Sequence, residues 1–141
     1  MISFFVAGIA KPAGSKRAFF NKGMKFPVVV DACKGSKDWK SDVKAEAIRF
    51  APQNLLEGPL KVTFEFRVTR PKHHFRSNGT LKDAAFGLHP TTRPDVLKLS
   101  RGVEDALTGI IYKDDSQIVD EHLIKIYGDK PGVWITIEEL Q

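Results

Sequence analysis

The sequence predicts an α+β fold: one compact domain in which a mixed β-sheet carries two main helices. Three observations predict it. Leu60 to Arg70, LKVTFEFRVTR, alternates apolar and polar residues along its whole length, the period-two pattern of a half-buried strand. Two other stretches, one from Ser36 and one around Pro94, repeat apolar residues at three and four, the period of an amphipathic helix. The chain has 141 residues, 42% of them hydrophobic with ten Phe and two Trp, which is enough for one core and short for two domains.

Taken in order, Ile2 to Gly8 (ISFFVAG) is an apolar run closed by glycine, the pattern of a buried strand. Turn residues at Pro12 to Gly14 and at Asn21 to Gly23 then predict two or three strands joined by basic loops. From Ser36, the expected N-cap, Trp39, Val43, Ala47 and Phe50 line one face of a helix that Pro52 ends. In the strand LKVTFEFRVTR, Val62, Phe64, Phe66 and Val68 share one face and Lys61, Thr63, Glu65, Arg67 and Thr69 the other. Residues 71 to 92 show neither period, and a loop of that length points to function or disorder rather than simple connection. It carries His73, His74, Arg76, Lys82 and His89, at no spacing that matches a metal motif; DNA contact and plain solvation both fit.

Pro94 suits the first turn of the second helix, with Thr92 as its cap. Val96, Leu99, Val103, Ala106 and Ile110 form its apolar stripe. Lys98, Arg101, Gly102 and Asp105 gather on one side of that stripe, with Asp95 at the N-terminus and Glu104 on the exposed face. YKDDS is a turn, and Gln117 to Tyr127 and Gly132 to Leu140 read as two strands joined through GDKPG.

The chain is basic overall, with 22 Lys and Arg against 17 Asp and Glu. Residues 1 to 50 hold ten of the basic residues and four acids, net +6; the rest is net −1. Such asymmetry suggests a polyanion held by one part and different work done by the other. No run approaches eighteen apolar residues, MISFFVAGIAK lacks the basic start of a signal peptide, and the single Cys33 has no disulfide or zinc-ligand partner. A cytoplasmic protein is the expectation, with no membrane and no small-molecule cofactor.

Seven acids crowd between Arg93 and His122: Asp95, Glu104, Asp105, Asp114, Asp115, Asp120 and Glu121. A helix followed by a strand folding back brings the ends that carry Asp95 and Asp115 together. Carboxylates held close repel unless a cation lies between them, and hard divalent ions take oxygen ligands. Acids for a metal inside a basic chain for a strand is the composition that phosphodiester cleavage requires. The bland alternatives are a helix-capping Asp95 and turn-forming Asp114 and Asp115.

The segment RPDVLKLSRGVEDALTGIIYKDDSQIV resembles the signature of the RusA family of Holliday junction resolvases, typical of phages and prophages: R/K-P-D-x-D-N-L-x-K, then D-A-L, then D-D-x-Q-V/I. The N-terminal GIAKPAGSKRAF and the helix SKDWKSDVKAEA are similar to that family's opening, so the resemblance spans nearly the whole chain. It implies a homodimeric α+β endodeoxyribonuclease that takes Mg²⁺, with Mn²⁺ as a possible substitute, binds four-way DNA junctions and nicks two strands symmetrically in recombination and repair. By the same resemblance Asp95 is the first acid and Asp115 the second of the D-D pair, with Asp114 beside it; these three would hold metal. Arg101 takes the place of the helix lysine and Asp105 is the Asp of D-A-L, both counted with the catalytic set. Lys11, Lys16, Arg17, Arg93 and Lys98 are the expected DNA contacts. One departure stands out: the motif's second acid is Leu97 here and its Asn is Lys98. Leucine cannot ligate magnesium, so another carboxylate, Asp105 first, compensates, or the site uses more water, or the protein binds junctions without cutting them.

Overall fold

The computed structural model describes residues 1–13, 16–19, 28–31 and 35–141; for residues 16–19, 28–31, 36 and 37 it describes the backbone alone. The expected order holds: β1 (Ile2–Ala7), β2 (Lys16–Phe19), β3 (Val28–Asp31), α1 (Ser36–Phe50), β4 (Leu60–Val68), α2 (Val96–Leu107), β5 (Ile118–Tyr127) and β6 (Gly132–Glu139). The turn expected at Asn21 to Gly23 lies outside the described residues.

A four-stranded mixed sheet runs β1-β6-β4-β5, with β4 parallel to β5 and antiparallel to β6, and β6 antiparallel to β1. The antiparallel pair β2-β3 stands apart from it. Although only four residues separate β5 from β6, the two are not neighbours: β4 lies between them. The connection therefore crosses the end of β4, where Gly128 N–H donates to Val68 O (3.0 Å) and Gly8 N–H to Pro131 O (3.0 Å).

The sheet's inner face is the core. Phe4 and Val6, Val62, Phe64 and Phe66, and Val133, Ile135 and Ile137 are all buried there under the two helices. Alternation in β4 is as expected, with Leu60 extending the inner row. From α1 come Trp39, Val43 and Ala47, from α2 Leu99, Val103, Ala106 and Leu107. Two helix starts differ from expectation. Gly35, at φ 85°, is the N-cap of α1, and Ser36 is its first helical residue. Asp95, the residue after Pro94, is the N-cap of α2, and the carbonyls of Thr92 and Pro94 are drawn instead to the Lys125 ammonium (2.8 and 3.0 Å). Phe50, at 42% exposure, stacks on Phe4 rather than entering the core.

Residues 11 to 13 cross α2 at close range. Ala13 N–H donates to Lys98 O (3.1 Å), and a Cβ on Gly102 would stand 3.3 Å from Lys11 O. Glycine on the helix lets the backbone that leads to the basic hairpin lie against α2.

A carboxylate cluster at the end of the second helix

Six of the seven acids of the segment 93–122 divide into two places; the seventh, Asp120, lies 3.1 Å from His122 Nε2. Asp95 stands at the N-cap position of α2 without a side-chain capping hydrogen bond, its carboxylate 3.8 Å from Lys98 Nζ, and both are largely solvent-exposed. Asp105 lies ten residues further, about 15 Å along the helix axis. Because β5 returns antiparallel to α2, its far end, through Lys125, meets the start of the helix, while its beginning, with Asp115, lies by the helix end. The fold therefore brings Asp115 to Asp105 and Glu104, whose charges act on one another, and leaves Asp95 at the other end of the helix. The return of the strand, which sequence reasoning invoked to join Asp95 and Asp115, sets them apart within one chain.

The residues that do meet include one, Glu104, that the sequence places on the exposed face. Glu104 is half-buried, not exposed, and its carboxyl is pushed up to about 8 by burial, by a hydrogen bond with Glu121 and by the charges of Glu121 and Asp115. Ser100, 1% exposed, donates its hydroxyl to Glu121 Oε1 (3.0 Å) and more weakly to Glu104 Oε1 (3.5 Å). Beneath them Tyr112 is fully buried; its phenol donates to Glu104 O (3.1 Å), and burial raises its ionisation well above the ordinary range. Asp115 is also raised, by desolvation and then by its hydrogen bond with Asp114. Asp114 is lowered, chiefly by the Ser116 backbone N–H (3.0 Å). Asp114 has a structural task as well: it caps the short helical turn Asp115–Gln117, with Gln117 Oε1 accepting from Asp114 N–H (2.8 Å). That part of the turn-forming alternative is realised.

Around the cluster, Asp105 pairs with Lys40 of α1 (3.3 Å). Arg101, Lys98 and Arg93 are exposed, and Lys11 lies with its stem against Gly35 where the chain crosses α2. Lys16 and Arg17 begin β2; their side chains lie outside the described residues. Leu97 is 60% exposed on the first turn of α2, and nothing in the structure explains a leucine there.

Among the described residues no group of three or more His, Cys, Asp and Glu side chains is arranged to hold a metal ion. The donor set nevertheless suits one. Glu104 and Glu121 share a hydrogen bond where two carboxylates would otherwise repel, and Mg²⁺ commonly uses one or two protein carboxylates, the rest of its shell being water and phosphate. Oxygen donors alone, without thiolate or imidazole, fit a hard divalent cation.

An α+β domain with crowded carboxylates among exposed cations has the make-up of a nuclease. The chain belongs to the RusA endodeoxyribonuclease family, whose model matches residues 10–138. That family's activity is the endonucleolytic cutting of Holliday junctions, generally with a divalent metal. The chain is also 41% identical over 108 residues to the uncharacterized protein YqaN of Bacillus subtilis (strain 168), covering 74% of this chain and 75% of that protein. No helix of the described residues is long and apolar enough to cross a membrane.

Proposed function

We propose that this protein is a Mg²⁺-dependent, structure-specific endonuclease that resolves four-way DNA junctions by paired symmetric nicks, acting as a homodimer in recombination and repair. Mn²⁺ is the expected substitute ion. A bacterial cytoplasm and a phage or prophage lineage complete the proposal. What carries it is the meeting of Asp115, Glu104 and Glu121 at the end of the family segment, where a carboxyl held up to about 8 marks too many acids for the space.

Asp115, with Asp114 beside it, would hold the ion, and Glu104 and Glu121 replace the acid that Leu97 has lost. Asp105, the first compensating candidate, is partly neutralised by Lys40. When bound, the ion supplies an activated water and neutralises the leaving oxygen. Arg101, Lys98, Arg93 and Lys11, with Lys16 and Arg17 of the hairpin, grip phosphates, which sets the register of the strand without reading its sequence. Arg101 in place of lysine offers a planar fork for two phosphate oxygens.

Asp95 belongs to the same site only through a second chain. A two-fold dimer can set one protomer's Asp95 against its partner's Asp115, and its symmetry matches the two strands to be cut. The helix-free face of the sheet, where Trp134 (39%) and Ile124 (41%) are exposed, offers apolar surface for such an association.

The test is Asp115→Asn. Mg²⁺-dependent nicking should vanish while junction binding persists or tightens, since negative charge has left the phosphate site; undiminished cutting removes Asp115 from the mechanism. A second reading, a junction-binding protein with a non-cleaving site, is favoured by one observation, the exposed Leu97 where the family motif has its second acid. Wild-type protein that binds junctions tightly yet never nicks them supports that reading.

A further inference from the structure

The loop between β4 and α2, without periodicity in its sequence, is a built element. His74 and Ala85, 6% and 3% exposed, are its anchors. Arg70 reaches both, 3.3 Å to His74 Nδ1 and 2.9 Å to Ala85 O, and lies over the Tyr127 ring at 5.0 Å. Burial, and then the charges of His73, Arg70 and Lys82, lower the ionisation of His74, which favours the neutral ring in that place. Arg76 ties the middle of the loop, donating to Leu81 O (2.7 Å) and pairing with Asp83 (3.1 Å). Lys82 N–H donates to His74 O (2.9 Å), closing the loop on itself.

This fixed scaffold displays apolar side chains to solvent. Phe86, the residue after the Ala85 anchor, is 64% exposed, and Leu88 is 48% exposed, with Gly87 at φ 75° between them. Packing does not account for either residue. Exposed Lys72, Lys82 and Arg93 share the loop, and residues 70 to 93 hold five Lys or Arg against one acid, net +4. Aromatic side chains beside cations are what stacked bases and their phosphates require together.

We infer that Phe86, carried by this loop, stacks on the base pair exposed at the branch point of a DNA junction, with Lys72 and Lys82 on the flanking phosphates. The inference rests on the junction-nuclease reading and adds to it the means of telling a branch from a duplex. In continuous duplex both faces of every base pair are covered by neighbours, so an inserted ring must first unstack a step. At a branch point that stacking is interrupted, and the aromatic face meets bases at lower cost. Leu88 would fill the space beside the ring.

The experiment uses full-length protein and a synthetic four-way junction carrying 2-aminopurine either at the branch point or within an arm, in Ca²⁺ to hold cleavage back. Wild type should change the fluorescence of the branch-point probe and leave the arm probe unaltered. Phe86→Ala should abolish that change and lower the preference for junction over duplex at least tenfold, and Phe86→Trp should keep both. Equal melting temperatures would show that the variants fold alike. Preference and signal unaltered in Phe86→Ala overturn the inference while leaving the nuclease reading intact. Wild type with no preference for junctions overturns both. If Phe86→Ala turns a dimer into a monomer, the ring belongs to a protein interface, and the inference fails.

Discussion

Glu104 gives the most direct physical handle on the cluster. In the unfolded chain its carboxyl titrates near 4.5, and in the folded chain near 8. An acid raised in this way binds its proton more tightly when folded, so its ionisation opposes folding. The contribution is absent below about pH 4.5, grows as pH rises toward 8, and levels off above it, the reverse of an ion-paired carboxylate. Each pH unit in that window costs at most about 1.4 kcal/mol. Half of the side chain still faces water, so screening halves the sum to roughly 2 kcal/mol. Glutamine keeps the shape and can still hydrogen-bond to Glu121 but never ionises. Glu104→Gln should therefore match wild type near pH 5 and exceed it at pH 8 by about 2 kcal/mol, or about 6 °C in melting temperature for a domain of this size. The assay is thermal unfolding by circular dichroism from pH 5 to 9 in the presence of a chelator. Repeating it with Mg²⁺ should shrink the difference, because a cation replaces the shared proton. Parallel pH profiles for variant and wild type would refute the crowding of Glu104 with Glu121 and Asp115.

Three further outcomes follow from the same geometry. Asp95→Asn and Asp115→Asn, each inactive alone, should regain cutting when unfolded and refolded together, to about a quarter of wild-type sites, because half of the dimers then hold one intact site with both acids. No regain would place both acids of a site in one chain. Nicking at low Mg²⁺ should fall as pH drops below about 8, where Glu104 takes up its proton, and higher Mg²⁺ should move that fall to lower pH; a profile indifferent to Mg²⁺ refutes the competition. Phe64→Ala, at the buried centre of the sheet, should cost about 3–5 kcal/mol in denaturant unfolding, and a loss below 1 kcal/mol would place Phe64 outside the core.

Much of this fold is legible in the sequence because its signals are local. The alternation from Leu60 to Arg70 gives β4, and the stripe Val96, Leu99, Val103, Ala106 gives α2, since period alone determines which residues are buried. Strand order is not local. That β6 crosses β4 to pair with β1 depends on how the β4-α2-β5 crossover packs, and the four residues GDKP do not encode it. The site follows the same division. The family motif identifies Asp95, Asp105 and Asp115 along the chain, but the antiparallel return of β5 decides which of them share a neighbourhood. Glu104, expected on the exposed face, is half-buried because the helix buries a wider arc than its apolar stripe, and Glu121 reaches it from β5. The signal was present: Ser100, Glu104, Leu107 and Ile111 are spaced four, three and four, a second row beside the first, and three of its four members are fully buried.

If these acids serve DNA cleavage rather than structure alone, the ion should switch cutting on. A synthetic four-way junction, labelled on each strand in turn and incubated with purified protein with and without Mg²⁺, tests it most directly. Nicks are expected at symmetric positions on two opposing strands, only when the ion is present. Tight binding with no nicks under either Mg²⁺ or Mn²⁺ would contradict it, leaving a protein that holds junctions for another enzyme to cut.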